Sequence, residues 1–363
     1  MSNGHAGASI LYRKSVMSIE HSNFTENTGQ LNDATQSEAL PTPTKRARAV
    51  SLLQRQGAFL ALVILLVFGG LRYDNFLSTG NIADVLSYNS MFGLIALGMT
   101  FVIITGGIDL SVGSVVAFTS VVAAQVSPSG PLVALVVPML VGALVGLVNG
   151  FVIAKFQILP FITTLATLLA ARGLALSFAN NTAVSVAQDN GFTTIGQGDF
   201  FGIPIPVLIA GAAFIIGAVV LLFTRFGRHV LAIGGNEEAA RLMGLPVDRI
   251  KIAVYVISGA LAGLAGVVLA SKYGAGQPTA GAGWELSAIA SVVVGGTLLM
   301  GGLGSVGGTL VGVLLLGWII KVLDFENGKG VVSLSAYWQS VIRGSFLLIV
   351  VLIQNRLMRR RQG

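Results

Sequence analysis

The sequence predicts an all-α integral membrane protein with about ten transmembrane helices, cytoplasmic N- and C-termini, and broken or re-entrant helices where glycines interrupt the spans. Three features of its composition favour this fold class. Hydrophobic residues make up 54% of the 363 residues and charged residues only 10%, whereas an average soluble domain carries about 25% charged residues. The mean hydropathy is +0.82. Glycine occurs 47 times, and small residues let membrane helices approach closely.

Ten hydrophobic segments follow a polar N-terminal region. Residues 1–50 are rich in Ser, Thr, Asn and Gln and lack apolar periodicity, so they predict a disordered cytoplasmic tail. A transmembrane domain is predicted at 51–356 and a basic cytoplasmic tail at 357–363. Most segments approach the ~20 residues that a helix needs to cross a bilayer, and the shorter ones predict tilted helices or half-helices. The predicted spans are 57–71, 85–104, 110–126, 132–154, 161–179, 206–224, 252–271, 286–300, 306–323 and 337–353.

The basic residues indicate the orientation of the chain. The net charge of +7 is compatible with nucleic-acid binding, but the basic residues lie beside hydrophobic spans, which favours a role in membrane topology. With ten spans, these residues fall on one face, and the positive-inside rule places both termini in the cytoplasm. The residues are Lys45, Arg46, Arg48, Arg55, Lys155, Arg225, Arg228, Arg356, Arg359, Arg360 and Arg361.

A glycine break between the second and third predicted spans carries an isolated carboxylate. Unwound backbone in a membrane must line a cavity or be buried in protein, because lipid cannot satisfy its amides. An ionisable residue there is a functional candidate. The alternative is that Asp109 caps the helix expected to start at Leu110, and both roles are compatible. The candidate transport-pathway residues are Thr105, Gly106, Gly107, Asp109, Ser111 and Ser114.

Glycine patterns elsewhere predict close helix packing. Gly142, Gly146 and Gly150 recur at a spacing of four, as do the pairs Gly259 with Gly263 and Gly308 with Gly312. We expect these faces to be packing surfaces. A second double glycine, at 301–302, precedes Ser-Val-Gly and resembles the break at 106–107, which is a short match for an internal repeat. The polar residues Asn149 and Arg172 are expected to pair with backbone or neighbouring side chains, and Arg343 to extend toward the membrane surface.

The longest cytoplasmic connection, residues 225–251, predicts a short helix at 237–243. Asn236 is a suitable N-cap, acids occupy the first turn, and Gly244 and Pro246 end the helix. Its apolar face is too narrow for a helix lying on lipid headgroups, so presentation to a soluble partner fits better. The candidate residues for contact with that partner are Glu237, Glu238, Ala239, Ala240 and Gly244.

Several motifs resemble those of ABC importer permeases. Residues 238–244 are similar to the EAA loop, whose helix docks on the ATPase subunit, although Leu245-Pro246 follows the glycine at once. Residues 97–113, Asn149-Gly150, Arg172-Gly173 and 277–290 resemble the ribose-type permease family, over roughly 81–353. The resemblance implies the permease of a bacterial inner-membrane importer, with a partner ATPase that binds the ATP, an extracytoplasmic sugar-binding protein, and a second copy of the permease. It implies no cofactor in this chain and no nucleic-acid partner.

Missing motifs limit the alternatives. No Walker A phosphate loop occurs, so ATP hydrolysis is expected in a separate subunit, and no H-E-x-x-H or G-x-S-x-G pattern supports a membrane hydrolase. The absence of cysteine excludes disulfides. Two alternatives remain open: an ABC permease for branched-chain amino acids, and a secondary transporter that uses Asp109 to couple to protons or sodium.

Overall fold

The structure, a computed structural model, describes residues 45–328 together with 338, 341, 344 and 345, and the side chains from residue 57 onward. The chain divides into one unit up to Leu53 and a second from Gln54. All contacts described below lie in the second unit. The predicted tail 1–50, the predicted span 337–353 with Arg343, and the basic tail 357–363 lie largely or wholly outside the described residues.

The described residues are mostly helical, with four two-residue strands. The strands are β1 (Val184–Ser185), β2 (Asp199–Phe200), β3 (Ile203–Pro204) and β4 (Ala275–Gly276), which pair as antiparallel β1–β4 and β2–β3. A 3-10 turn occupies Ser127–Ser129. The helices are α1 (Lys45–Arg72), α2 (Thr79–Ile104), α3 (Val112–Val126), α4 (Pro131–Phe156), α5 (Pro160–Phe178), α6 (Thr194–Gln197), α7 (Ile205–Phe223), α8 (Arg225–Gly235), α9 (Glu237–Leu242), α10 (Val247–Tyr273), α11 (Trp284–Val294) and α12 (Val306–Gly328).

Seven helices among the described residues are long and apolar enough to cross a membrane. They are α2, α3, α4, α5, α7, α10 and α12, and each coincides with a predicted span. The apolar part of α1, Gly57–Arg72, is shorter. The predicted continuous span 286–300 is wrong: α11 has 11 residues, or roughly 16 Å at 1.5 Å per residue. It ends at Val294, and Gly296 then adopts a φ of +94°, so the helix cannot continue.

The helices alternate in direction between two ends of the bundle. One end, here called the α8–α9 end, brings together the end of α2, the α4–α5 link and the start of α10, where Lys155 contacts Asp248. The other, here called the strand end, carries β1 to β4, and there the Tyr73 hydroxyl donates to Glu326 Oε1 at 2.5 Å. Short connections between antiparallel neighbours produce this arrangement.

Helix α2 lies at the centre of the bundle. In its most apolar 18-residue window 89% of residues are buried, compared with 22% in α4 and in α5. The peripheral helices instead expose large apolar side chains, such as Leu140, Leu169 and Ile215. Such faces suit contact with lipid, since lipid tails are as apolar as the side chains they meet.

The predicted glycine faces are confirmed as helix-packing surfaces. On α4, a Cβ at Gly142 would overlap the carbonyl oxygen of Gly259 on α10, and one at Gly146 would overlap the carbonyl oxygen of Tyr255. A Cβ at Gly312 would likewise overlap the carbonyl oxygen of Ser291. These helices meet backbone to backbone because no side chain separates them.

We expect Gly146→Ala to lower the free energy of unfolding by about 1–3 kcal/mol, because the added methyl group forces α4 and α10 apart. Thermal unfolding of the purified protein in detergent measures this. The matched control is Gly211→Ala on α7, where no atom lies within 4 Å of the added Cβ. Equal effects of the two substitutions would contradict the packing role of Gly146.

Candidate functional site

The glycine break separates α2 from α3. Helix α2 ends at Ile104, Gly106 turns the chain with a φ of +78°, and residues 107–109 have no regular secondary structure. Helix α3 starts at Val112, two residues later than the expected start at Leu110. Ser111 occupies its N-cap position but makes no side-chain capping bond there. The predicted interruption of the helix is therefore present, and it exposes the backbone of residues 105–111 to neighbouring helices.

Asp109 is buried, with 1% of its surface exposed. Its Oδ1 accepts hydrogen bonds from the Ser111 amide at 3.0 Å and the Ser111 hydroxyl at 2.6 Å. Its Oδ2 accepts one from the hydroxyl of Ser258 on α10 at 2.9 Å. Among the described residues no basic side chain pairs with this carboxylate. Three donors, two of them hydroxyls, thus satisfy a buried acid, as such groups require.

The hydrogen bonds continue from Asp109 to two more helices. The Asn149 amide on α4 donates to the Ser111 hydroxyl at 3.1 Å, and the Thr167 hydroxyl on α5 donates to Asn149 Oδ1 at 2.5 Å. Asn149 therefore pairs with neighbouring side chains, as expected. Ser258 lies 11 residues beyond the start of α10 at Val247, or roughly 16 Å along its axis. Because the hydrocarbon core is about 30 Å thick, this polar network lies deep in the membrane.

The contacts of Asp109 bear on its two predicted roles, capping a helix and taking part in the transport pathway. Its bond to the Ser111 amide is a capping-type contact at the start of α3, whereas its bond to Ser258 joins α3 to α10. Ser114 is buried within α3. The roles of Asp109, Ser111 and Ser114 in a transport pathway stay predictions.

The second double glycine contacts the first. The Gly302 amide donates to the carbonyl oxygen of Ile104, the last residue of α2, at 2.9 Å. A Cβ on Gly301 would lie 2.8 Å from the Gly106 nitrogen, and one on Gly234 would overlap the Ile104 oxygen. Three double glycines, at 106–107, 234–235 and 301–302, therefore meet at the α8–α9 end. The second of these pairs ends α8, a helix that the sequence interpretation missed because glycines interrupt it.

The short helix of the cytoplasmic connection is confirmed as α9, one residue shorter than predicted. The Asn236 side chain caps it by accepting from the Ala239 amide at 2.9 Å, and Gly244 leaves it with a φ of +79°. Ala240 is fully buried against the bundle, whereas Glu238 is exposed. The next residues, Leu242 and Met243, are 84% and 72% exposed. The helix therefore has a packed side and a projecting side.

Ion pairs attach α9 to the bundle. Glu237 pairs with Lys251 at 2.5 Å and with Arg241 at 3.5 Å, and Arg241 pairs with Asp248 at 3.1 Å. Asp248 also pairs with Lys155 at the end of α4, at 3.0 Å. The cytoplasmic connection is predicted to reach residue 251, and α10 already starts within it, at Val247. Asp248 and Lys251 thus form the polar first turns of a membrane helix, which a hydropathy criterion assigns to the loop.

A cavity of about 430 Å³ joins the two groups of candidate residues. Thr105, Gly106 and Gly107 line it from the glycine break, and Glu237 lines it from α9. Its other polar contributors, Gln157, Arg241, Lys251 and Tyr255, were not among the predicted site residues. Asp109, Ser111 and Ser114 do not line it.

Arg172 binds backbone carbonyls, as expected. Its Nη1 donates to the carbonyl oxygens of Pro278 at 2.6 Å and Ala280 at 2.7 Å. These bonds attach α5 to the loop before α11. Within the described residues, no group of three or more His, Asp or Glu side chains could hold a metal ion.

Comparison with known proteins identifies the family. Ribose import permease protein RbsC of Bacillus subtilis is 42% identical over 322 residues, covering 88% of this chain and 98% of that protein. Ribose import permease protein RbsC of Escherichia coli is 40% identical over 309 residues, covering 84% and 94%. L-arabinose transport system permease protein AraH of Escherichia coli is 40% identical over 307 residues, covering 82% and 90%. No solved structure matches the chain at a significant level.

The seven apolar helices and the likeness to bacterial import permeases make this chain a multi-pass protein of the bacterial inner membrane. The family model described as branched-chain amino acid transport system / permease component matches residues 81–351. The chain belongs to that family of permease components.

Proposed function

We propose that this chain is the permease subunit of an ATP-driven, binding-protein-dependent importer of a monosaccharide, a ribose-type pentose. The relatives named for ribose and arabinose import support the substrate class, because each aligns over more than four fifths of both chains. The chain supplies the path, and the chemistry of ATP hydrolysis belongs to a separate ATPase subunit, which also binds the nucleotide. No cofactor is assigned to this chain.

The single observation that carries the coupling role is the projecting side of α9. Glu238, Leu242 and Met243 face away from the bundle, while Ala240 packs into it. Two apolar side chains beside a carboxylate form a surface that suits burial in a groove of a soluble partner. Glu237, Glu238, Ala239, Ala240 and Gly244 form the docking element for the ATPase.

The ion pairs between α9 and α10 transmit a displacement of α9 to a helix that spans the membrane. Closure of the ATPase pair moves α9, and the pairs Glu237–Lys251 and Arg241–Asp248 pass that movement to α10. Helix α10 in turn holds Asp109 through Ser258. The bundle then tilts between outward- and inward-facing states at the glycine break and the start of α3, which carry the pathway residues Thr105, Gly106, Gly107, Asp109, Ser111 and Ser114.

The topology and the remaining partners follow from the same assignment. The α8–α9 end carries Lys155, Arg225 and Arg228, which supports a cytoplasmic position for it. A tenth span at 337–353 would return the chain to this side, so both termini are cytoplasmic. The strand end faces the extracytoplasmic sugar-binding protein, and a second copy of the permease completes the path.

A branched-chain amino acid is the second candidate substrate, because the family model carries that description. A zwitterion favours fixed charges along the path, whereas Asp109 is held by an amide and two hydroxyls. This arrangement supports the sugar. Competition of transport by unlabelled ribose, xylose, galactose and leucine separates the two candidates.

We expect sugar accumulation only when proteoliposomes contain the permease, its ATPase, ATP and the binding protein. Ion coupling is disfavoured because Arg172, which is partly buried in α5, stays charged near neutral pH and cannot relay protons. The measurement is uptake of labelled ribose with ATP or with an imposed proton or sodium gradient. Accumulation driven by a gradient without ATP would overturn the ABC assignment in favour of a secondary transporter.

We expect Gly244→Ala to reduce co-purification of the ATPase and ATP-driven uptake several-fold. A non-glycine residue in the left-handed region costs about 1–2 kcal/mol, so the chain leaving α9 changes its path. The control is Gly202→Ala at the strand end, since both glycines have a φ of +79° and no atom within 4 Å of the added Cβ. The two variants should lose similar stability. Equal ATPase recovery from both would refute the docking role of α9.

We expect Asp109→Asn to fold normally and to impair uptake. The amide oxygen can accept both bonds from Ser111, and the Ser258 hydroxyl can turn to accept from the amide nitrogen, so only the charge is lost. Asp109→Ala leaves these partners without an acceptor and lowers stability by about 1–3 kcal/mol. Ser258→Ala is the control that keeps the carboxylate and removes one bond. Normal uptake by both Asp109 variants would exclude Asp109 from the mechanism.

A further inference from the structure

The 430 Å³ cavity at the α8–α9 end differs in chemistry from a second cavity in the described part of the chain. Six of its lining residues carry polar side chains: Thr105, Gln157, Glu237, Arg241, Lys251 and Tyr255. The other cavity, of about 470 Å³ between α2, α7 and α12, is lined mainly by apolar residues such as Leu86, Val207 and Phe214. The first offers more donors and acceptors suited to a solute with many hydroxyl groups. Its volume is within the range of about 300–1,000 Å³ typical of ligand pockets.

The cavity reaches the surface on one side and the buried network on the other. Gln157 and Arg241 are exposed, so the mouth opens at the α8–α9 end. At its inner limit Tyr255 is 1% exposed, and its hydroxyl lies 3.5 Å from the carbonyl oxygen of Ile108. Ile108 directly precedes Asp109, and a Cβ on Gly107 would lie 2.6 Å from the Tyr255 hydroxyl. Tyr255 and the glycine break therefore separate the cavity from the Asp109 network.

Gln157 holds a costly backbone conformation at the mouth. It follows the last residue of α4 with a φ of +54°, a region that glycine adopts freely and glutamine rarely. Such strain is concentrated at functional sites. The side chain that this conformation presents to the cavity is an amide, which both donates and accepts hydrogen bonds.

The charged residues that line the cavity lie on α9, the proposed coupling element, and near the start of α10, to which ion pairs attach α9. Glu237 and Arg241 are on α9, and Lys251 on α10 pairs with Glu237. Any displacement of α9 that separates Glu237 from Lys251 must therefore change the width of the cavity. The same displacement frees their polar atoms for another partner.

We infer that this cavity is the cytoplasmic exit site of the transport path, in which the sugar hydroxyls bind Gln157, Glu237, Arg241 and Lys251 before release. Tyr255 closes the site from the Asp109 network. The site rests on the proposed import function, and it adds a binding step on the side of the ATPase. Opening is linked to ATP hydrolysis because α9 forms one wall.

The chain has no cysteine, so a single introduced thiol is the one reactive thiol of the permease. We propose to introduce Gln157→Cys or Thr105→Cys into the permease of the complete complex. The complex is studied in inside-out membrane vesicles, with the binding protein and labelled ribose sealed inside. A charged, membrane-impermeant methanethiosulfonate is added outside. The matched control is Arg249→Cys, an exposed residue in the first turns of α10 that does not line the cavity.

We expect labelling of Gln157→Cys to stop ATP-driven ribose transport, and labelling of Arg249→Cys to leave it unchanged. External ribose at ten times its dissociation constant should slow labelling at Gln157→Cys roughly tenfold, because only the free site reacts. It should not affect Arg249→Cys. Labelling of Thr105→Cys should be faster during ATP turnover than at rest, because α9 then widens the cavity.

Two outcomes would overturn the inference: transport that survives complete labelling of Gln157→Cys, or labelling of Gln157→Cys that ribose does not slow. Failure of the proposed function is distinct, since it appears as transport by the unlabelled protein without ATP.

A second pair of variants separates the amide from the backbone strain. Gln157→Gly and Asn75→Gly each relieve a positive φ, of +54° and +60°, but Asn75 lies at the strand end. Both should be at least as stable as the parent protein. Only Gln157→Gly should require a higher ribose concentration to slow the labelling of a Thr105→Cys thiol in the same chain. Unchanged protection by ribose would show that the amide does not contact the sugar.

Discussion

The need to satisfy every backbone polar group within the bilayer governs this structure. Hydrocarbon offers no hydrogen bonds, so a helix that ends inside the membrane must find partners in other protein segments. The chain interrupts its helices between α2 and α3 and between α11 and α12, and the Ile104 carbonyl at one break accepts from the Gly302 amide at the other. The glycines are needed there because a Cβ on Gly234 or Gly301 would enter the space that the neighbouring backbone occupies. One broken helix thus supplies the hydrogen-bond partner of the other.

The same constraint explains the chemistry of the deep polar network. Asp109 and Ser111 at the glycine break, Asn149 on α4 and Ser258 on α10 are all buried, yet each polar atom in the network has a partner. A carboxylate held by hydroxyls can exchange these bonds with little rearrangement, because hydroxyl groups rotate and both donate and accept. A permanent ion pair would resist such exchange more strongly. The network therefore combines cohesion between α3, α4 and α10 with the capacity to change partners.

Local patterns in the sequence predicted the features that depend on local chemistry. The spacing of Gly142 and Gly146 predicted a packing face, since only small residues permit backbone contact, and Asn236 followed by two acids predicted the start of α9. Contacts between distant segments had no such signal: Ser258 is 149 positions from Asp109. The length of α11 was overestimated because hydropathy does not register the turn at Gly296. The cavity beside Tyr255 arises from four segments, and only the packed chain brings them together.

The central position of α2 has a consequence for biosynthesis. Its mean hydropathy, 1.6, is lower than the values of 2.5 for α4 and 2.8 for α7, and it carries Asn89 and Thr100 in positions that become fully or nearly fully buried. The Thr100 hydroxyl is partnered by Thr309 of α12 at 2.7 Å, a residue made some two hundred positions later on the ribosome. During synthesis α2 must therefore enter the membrane before the helices that shelter its polar groups exist. Thr100 and Asn89 also donate to carbonyl oxygens of α2 itself, those of Ala96 and Val85, each at 2.7 Å, so α2 can enter the membrane with these donors satisfied before α12 is made.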